Sequence, residues 1–163
     1  MTQGSDWSND PRIVELSERL ERAVSSSFAF LEQIGFRRCP PSNVDMGDLR
    51  DARMIHRFVR AEKAVHVTFS YLTFQIEVVL LSYASPATCD PTQKFVAALD
   101  FETWLRENRV KSPRKLPWMR KETLWEEMGR SYNRYAANIR KDMEGAVELL
   151  AERLRSSTLL DSP

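Results

Sequence analysis

The feature that most constrains the fold is a change of phase in the hydrophobic alternation of residues 64–81. Apolar side chains occupy the odd positions from residue 65 to 71 and the even positions from residue 74 to 80. Alternation with a period of two is typical of a strand that has one buried face. A single strand cannot change phase without a break, whereas a tight antiparallel hairpin does so at its turn. The pattern therefore predicts a hairpin whose loop is Leu72-Thr73.

The hairpin predicts which side chains face each other across the two strands. On the apolar face the pairs are Tyr71–Phe74, Phe69–Ile76, Val67–Val78 and Val65–Leu80. On the opposite face they are Ser70–Gln75, Thr68–Glu77 and His66–Val79. A four-residue loop keeps the same register and is the alternative, because Leu-Thr is not a pair that two-residue turns favour.

A weaker strand precedes the hairpin at residues 52–60, after a segment, 37–51, whose composition is typical of a loop. A turn at Ala61-Glu62 predicts the pairs Phe58–Val65, His56–Val67, Met54–Phe69, Arg57–His66 and Arg53–Ser70. A shift of one residue would place Arg57 on the buried face, which is costly. The prediction is an antiparallel meander of strands 52–60, 64–71 and 74–83, to which residues 95–99 can add a fourth strand.

An N-terminal helix is predicted over residues 11–34. Asp10 is suited to its N-cap, and the proline that follows is suited to the first helical position. Three serines at 25–27 weaken its middle and favour a bend. Gly35 is suited to a left-handed C-cap, with Phe36 folding back onto the last turn as in a Schellman motif.

Two helices are predicted after the meander. Asp100 is suited to cap a short helix over residues 101–108. A long C-terminal helix is predicted from residue 122 to 157, because its apolar residues recur at helical spacing. Gly129 and Gly145 lower its helix propensity, so a kink or a split is the alternative.

Sheet and helices are segregated along the chain, which is the α+β pattern. The predicted fold is therefore α+β, a three- or four-stranded antiparallel meander covered by an N-terminal helix and a long C-terminal helix. The 163 residues suit one domain. Residues 10–157 are expected to form it, with residues 1–9 as a disordered tail and residues 158–163 as a frayed tail.

The composition is that of a globular protein, with 42% hydrophobic and 29% charged residues. A net charge of +1 gives no overall reason to expect a membrane or nucleic acid. The first eleven residues have neither the basic start nor the apolar core of a secretory signal. Cys39 and Cys89 lack the spacing of a metal site, and we expect free thiols in a reducing cytoplasm, with a disulfide as the alternative.

No motif for catalysis, metal binding or phosphate binding is recognised in the chain. His56 and His66 are predicted on opposite faces of the sheet, where they cannot share a metal. We therefore expect no enzyme activity and no cofactor. Aromatic residues recur at helical spacing on the C-terminal helix, at Trp125, Tyr132 and Tyr135. This spacing predicts core packing, with a homodimer seam along that helix as the alternative.

The segment 106–121 is the strongest local anomaly, because it is basic, broken by prolines and contains a tryptophan. Cations beside an exposed aromatic ring suit phosphates and bases, and they equally suit an acidic protein surface. The predicted partner-binding residues are Arg109, Lys111, Arg114, Lys115, Trp118, Arg120 and Lys121. The alternative is a solvated loop whose Trp118 packs into the core.

Three stretches resemble a loose group of small uncharacterised bacterial α+β proteins: FAFLEQIGF (28–36), VHVTFSYLTFQIEVVL (65–80) and LDFETWL (99–105). The resemblance implies a helix that ends in a GF step, a meander and a C-terminal helix. Some similar folds serve as immunity proteins that bind a toxin, so it also implies a binding role.

The predicted function is that of a non-catalytic, cytoplasmic protein that binds another protein, as an immunity or accessory protein does. The alternative is a module that binds RNA or single-stranded DNA through segment 106–121. The polar face of the sheet, from Arg53 and Arg57 to Gln75 and Glu77, is predicted to be open and is a second candidate surface.

Overall fold

The computed structural model of the chain describes residues 9–44, 52–112 and 114–160. At its centre is an antiparallel sheet of β1 Arg37–Arg38, β2 Ser42–Val44, β3 Arg53–Arg60, β4 Lys63–Ser70, β5 Ile76–Ser82 and β6 Ala97–Asp100. The strand order is β1-β3-β4-β5-β6, and β2 also pairs with β3. The fold is α+β, as predicted. The described sheet is larger than the predicted meander, because residues 37–44 contribute strands where a loop was expected.

The predicted register of the central strands is confirmed. Phe58 lies opposite Val65, and Val65 lies opposite Leu80 in turn. The loop between β4 and β5 is longer than two residues, because the strands end at Ser70 and begin again at Ile76. The N–H of Ser70 still bonds to the carbonyl of Gln75 at 3.0 Å, so four residues, 71–74, form the loop and the register is kept, as the predicted alternative requires.

The N-terminal helical segment consists of α1 Pro11–Ser27 and α2 Ala29–Gln33, which are separated at Phe28 directly after the three serines. The carboxylate of Asp10 accepts the N–H of Arg12, so the predicted N-cap is confirmed. At the other end, Gly35 has a φ of +99°. The N–H of Phe36 binds the carbonyl of Leu31 at 3.0 Å, which is the long bond of the predicted Schellman motif.

The prediction of one long C-terminal helix is wrong and the alternative of a split is right, because this part of the chain forms three helices, α4 Leu124–Arg130, α5 Tyr132–Lys141 and α6 Met143–Ser156. It breaks at Ser131 and Asp142 rather than at a glycine. The carboxylate of Asp142 caps α6 by accepting the N–H of Gly145 at 3.2 Å. A Cβ at position 145 would lie 2.4 Å from that carboxylate, so Gly145 leaves room for the cap.

The apolar face of the sheet is covered by helices, as the alternation predicts. Phe69, Val67 and Val78 are fully buried there. Helix α1 packs against α6, and Arg19 of α1 forms an ion pair with Glu144 of α6 at 2.8 Å. The short helix α3 Phe101–Glu107 packs beside β5, and the carboxylate of Asp100 caps it as predicted. Near the chain end, Leu159 and Leu160 pack half-buried against this core.

The opposite face of the sheet is covered around Arg57 and His66 by the loop that joins β5 to β6, so the prediction of an open polar face is wrong for that part. Arg53 is exposed, and Gln75 and Glu77 are half-buried. Arg57 is 1% exposed. Its guanidinium donates to the carbonyl of Thr88 at 2.6 Å and to the amide oxygen of Gln93 at 3.0 Å, both in that loop. It also contacts the ring Nε2 of His66 at 2.6 Å and the hydroxyl of Tyr83 at 2.5 Å. These polar contacts compensate the burial of the cation.

Cys39 and Cys89 form a disulfide, so the prediction of free thiols is wrong. The N–H of Cys39 bonds to the carbonyl of Arg57, which fixes Cys39 at the edge of the sheet. The covering loop brings Cys89 to it, with a Cα–Cα distance of 5.4 Å. The cysteines are 50 positions apart. Closing a loop of this length stabilises a fold by about 4 kcal/mol in the chain-entropy account.

Candidate functional site

The predicted binding segment, residues 106–121, connects α3 to α4 and is held against the C-terminal helices; we call it the basic strap. The guanidinium of Arg114 lies between two carboxylates of α6, at 3.2 Å from Glu148 and 2.8 Å from Glu152. The ammonium of Lys115 lies 3.0 Å from the carboxylate of Glu122. Two cations of the strap are therefore neutralised within the chain.

The tryptophan of the strap also contacts its own chain. The indole N–H of Trp118 donates to the carboxylate of Asp142 at 2.9 Å, and the ring is half-buried. The backbone N–H groups of Arg120 and Lys121 both donate to the carboxylate of Glu127. These contacts give the strap a structural role.

The other predicted partner-binding residues of the strap are exposed. Arg109, Lys111, Arg120 and Lys121 form no ion pair among the described residues. They lie at both ends of the strap, separated by the anchored residues in its middle. Their predicted role in partner binding stays a prediction.

A cleft lies where the sheet loses one of its strands; we call it the acidic cleft. Strand β6 pairs only with Val79–Ser82 of β5, and at Asp100 the chain turns into α3. Within the described part of the chain, Ile76–Val78 therefore have a strand neighbour on one side only. The cleft has a volume of about 220 Å³, and its walls are Gln75, Ile76, Glu77, Asp100, Glu102, Thr103, Arg106, Trp125 and Tyr135.

Glu102 is the most deeply buried carboxylate of the cleft, at 5% exposure. It accepts the backbone N–H of Leu124 at 3.2 Å and that of Trp125 at 2.8 Å, at the start of α4. Burial raises the pKa of Glu102 to about 7, although these N–H groups and Arg153 oppose the rise. The N-terminus of a helix favours a nearby negative charge. The two N–H bonds join Glu102 of α3 to the start of α4.

Glu77 is half-buried on β5, and its carboxylate accepts the side-chain N–H of Gln75 at 2.5 Å. Burial raises the pKa of Glu77, and the nearby charge of Asp100 raises it further. The ionised form of Glu77 is thus penalised by burial and by Asp100, and it is favoured by the charge of Arg53 and the bond from Gln75. A cation placed there would relieve both penalties.

Trp125 lies on the wall of the cleft, and Tyr132 lies at the hairpin loop. We call these two aromatic side chains and Leu72 the aromatic rim. Trp125 is 45% exposed, Tyr132 is 44% exposed and Leu72 is 44% exposed. The hydroxyl of Tyr132 donates to the carbonyl of Leu72 at 2.7 Å. Tyr135 is 2% exposed and contacts Phe74 of its own chain, so it cannot take part in the predicted homodimer seam.

The two histidines lie on opposite faces of the sheet, as predicted, since His56 pairs with Val67 and His66 pairs with Arg57. Burial lowers the pKa of each imidazole to about 4, and neighbouring arginines add to the effect. Both rings are therefore neutral near pH 7. Within residues 9–44, 52–112 and 114–160, no three His, Cys, Asp or Glu side chains are grouped to hold a metal ion.

No model of a known protein family matches the chain, and no curated protein or solved structure shows significant similarity to it. None of the helices in the described part of the chain combines the length and apolarity needed to cross a bilayer.

The acidic cleft was not predicted from the sequence, because its carboxylates come from separate parts of the chain. The sequence pattern predicted Asp100 as a helix cap and Glu77 on the polar face of the hairpin. Neither prediction places Asp100 or Glu77 near Glu102 in the fold. The exposure of Trp125 depends on which side of the short helix α4 packs against the core, and helical spacing alone does not reveal it.

Proposed function

We propose that the chain is a non-catalytic protein that binds another protein through the acidic cleft and the aromatic rim. The observation that carries this proposal is the exposure of Trp125 at 45%, on the wall of a cleft that borders the unpaired edge of β5. Tryptophan and tyrosine dominate the binding energy of many interfaces. A strand edge without a strand neighbour is a template for an added strand of a partner, although on this edge the backbone of Ile76 already bonds to the hydroxyl of Tyr135.

The charge of the cleft favours a partner that presents lysine or arginine side chains. Glu77 and Asp100 interact unfavourably with each other across the cleft wall. Trp125 offers a ring face on which a cation is attracted by the π-electrons. A basic side chain in an extended segment of the partner would satisfy the carboxylates, the ring and the strand edge together.

The same charges disfavour nucleic acid at the cleft, because phosphates are repelled by carboxylates. The cations on which nucleic-acid binding by the strap would depend include Arg114 and Lys115, which are paired within the chain. Protein binding is therefore the function that the geometry supports best.

An immunity or accessory protein acts in this way, by occupying a surface of its partner, and the resemblance described above implies such a role. The cytoplasmic location stays a prediction. The Cys39–Cys89 disulfide weighs against it, because reducing compartments seldom keep structural disulfides.

A selection from a random-peptide display library on the immobilised chain tests the proposal. We expect the recovered peptides to contain lysine or arginine. Their affinity should fall at least about tenfold for Trp125→Ala, as for a central aromatic contact. It should fall roughly three- to tenfold for Glu77→Gln, which keeps the shape and removes the charge.

The matched control is Lys121→Gln, which removes an exposed cation of the strap. Its affinity for the peptides should equal that of the unmodified chain. Peptides that bind Trp125→Ala unchanged, or that lose affinity for Lys121→Gln instead, would contradict the proposal. Binding of an oligonucleotide that weakens steeply with salt, and is lost in Lys121→Gln, would favour the nucleic-acid alternative.

A further inference from the structure

The loop that covers Arg57 and His66, residues 83–96, is tied to the rest of the chain by the Cys39–Cys89 disulfide; we call it the covering loop. Cys39 is 2% exposed, and its N–H is bonded to the carbonyl of Arg57 at 2.8 Å, so this half of the disulfide is fixed to the sheet. Cys89 belongs to the covering loop and is only half-buried. Cys89 is therefore the half of the disulfide that a reagent from solvent reaches first.

A cation lies against the sulfur of Cys89. The guanidinium of Arg37, an exposed side chain on β1, donates to Cys89 Sγ at 3.4 Å. Arg37 forms no ion pair within the described part of the chain, so no carboxylate compensates its charge there. A nearby cation favours the thiolate over the thiol and makes a cysteine more reactive. The same charge attracts an incoming thiolate and stabilises the negative charge that spreads over the sulfurs during exchange.

The non-covalent contacts of the covering loop come from a small set of residues. Two hydrogen bonds to the loop come from the guanidinium of Arg57, and the N–H of Ala87 bonds to the carbonyl of Ala61 at 2.8 Å. The apolar side chains at the loop form a cluster separate from the main core, and its buried members in the described chain are Cys39, Val59, Ala64, Leu81 and Tyr83. Segments with few buried apolar contacts open locally at low cost. We therefore expect the loop to open once the disulfide is broken.

We propose that Cys89, with Arg37 beside it, is a site of thiol–disulfide exchange that releases the covering loop. The co-reactant is a small-molecule thiol such as glutathione. Its thiolate attacks Cys89 Sγ, a new sulfur–sulfur bond forms there, and the bond to Cys39 breaks. The electron pair of the broken bond passes to Cys39 Sγ, which takes up a proton from water. A second thiolate that attacks the sulfur of the bound glutathione forms glutathione disulfide and leaves both cysteines reduced.

Release of the covering loop changes the polar face of the sheet. Arg57 and His66 are 1% and 7% exposed while the loop is closed. An open loop exposes these two side chains on the face where the sequence predicts an open polar surface. None of the residues of the exchange site lines the acidic cleft, so either proposal can fail without the other.

Mass spectrometry of the full-length chain locates the exchange. The disulfide form is treated with reduced glutathione under native conditions, and free thiols are then blocked with N-ethylmaleimide. Trypsin places Cys39 and Cys89 on different peptides, 39–50 and 64–94. When adducts first appear, we expect glutathione on Cys89 and N-ethylmaleimide on Cys39. Glutathione first on Cys39, or no exchange until a denaturant is added, would overturn the proposal.

Two variants test the role of Arg37. Arg37→Gln removes the charge beside the disulfide, so the rate of exchange with glutathione should fall roughly three- to tenfold. Arg134→Gln is the matched control, because Arg134 is an exposed side chain on α5 and its loss changes the net charge equally. Its rate should equal that of the unmodified chain. Circular dichroism confirms that both variants are folded, and equal rates in the two would overturn the proposal.

Hydrogen–deuterium exchange tests the release of the loop. In the glutathione-treated chain, the amides of residues 84–95 should exchange at least about tenfold faster than in the disulfide form, whereas those of β4 should keep their rate. Cys89→Ser, which cannot form the bond, should match the treated chain. Unchanged exchange in residues 84–95 would mean a disulfide with a structural role only, and an equal increase in β4 would mean general unfolding. Either result would overturn the proposal.

Discussion

The acidic cleft lies along α3, and the basic strap begins at the C-terminal end of the same helix. The two regions differ in how their charges are compensated. The strap has seven cations in sixteen consecutive residues, yet Arg114 and Lys115 in its middle are paired with carboxylates of the same chain. The cleft has no such run in the sequence, and its carboxylates meet only in the fold. The charge of Asp100 raises the pKa of Glu77 rather than compensating its charge.

The difference shows that a run of charge in a sequence does not identify a charged surface. Glu148 and Glu152 are four positions apart on α6, so they face the same way and hold the guanidinium of Arg114. Two carboxylates at this helical spacing can therefore bind a cation from another part of the chain. The carboxylates of the cleft lie beside an exposed ring, and they accept hydrogen bonds from uncharged groups such as the amide of Gln75 and the N–H of Trp125.

The two tryptophans provide the largest expected contrast between the regions. Trp118 of the strap is half-buried and bonded to Asp142, so Trp118→Ala should lower the free energy of unfolding by about 2–3 kcal/mol. Trp125 of the cleft is 45% exposed, and Trp125→Ala should lower it by less than about 1 kcal/mol. Urea denaturation measures both. Equal losses would remove the distinction between a structural strap and a binding cleft.

The carboxylates of the two regions should respond to pH in opposite directions. The pKa of Glu102 in the cleft is raised to about 7, so its contribution to stability is complete below pH 4.5 and is lost as the pH rises through 7. The pKa of Glu152 at the strap is lowered by its bond to Arg114, so its contribution is present above pH 4.5 and is lost as the pH falls.

The variant Glu102→Gln isolates the response of the cleft. Between pH 5 and pH 7.5, the unmodified chain should lose roughly 2 kcal/mol of stability relative to this variant, as follows from the raised pKa of Glu102. Thermal or urea unfolding of both proteins across that range measures the difference, in which the contributions of His56 and His66 cancel. A difference that does not change with pH would contradict the assignment of an ionisable, buried Glu102.

The smallest expected effect belongs to the ion pairs of the strap. Arg114 is 41% exposed, so Arg114→Ala should cost at most about 1 kcal/mol, and less at high salt. A double-mutant cycle with Glu152→Ala measures the coupling between the two side chains. A coupling energy near zero would mean that Trp118 and the backbone bonds alone anchor the strap.

The register of the central strands was predictable because it depends on local information. The alternation of residues 65–80 fixes which faces are apolar, and the cost of burying Arg57 against the helices selects the pairing with β3. The caps at Asp10, Asp100 and Gly35 were predictable for the same reason, since each is read from a few adjacent residues.

The errors all concern contacts between distant parts of the chain. The break at Asp142 reflects a carboxylate shared between the cap of α6 and the indole of Trp118. The disulfide and the burial of Arg57 both depend on the loop before β6, which folds over the polar face of the sheet. That loop is irregular, and composition carries no information on where an irregular segment packs.

Hydrogen–deuterium exchange of the chain with a recovered basic peptide tests the central claim most directly. We predict slower exchange in residues 72–78 and 124–132, which contain the hairpin loop, the unpaired edge of β5 and the aromatic rim. Exchange in residues 109–112 and 114–121 of the strap should not change. Protection confined to the strap, with unchanged exchange at the cleft, would contradict the account.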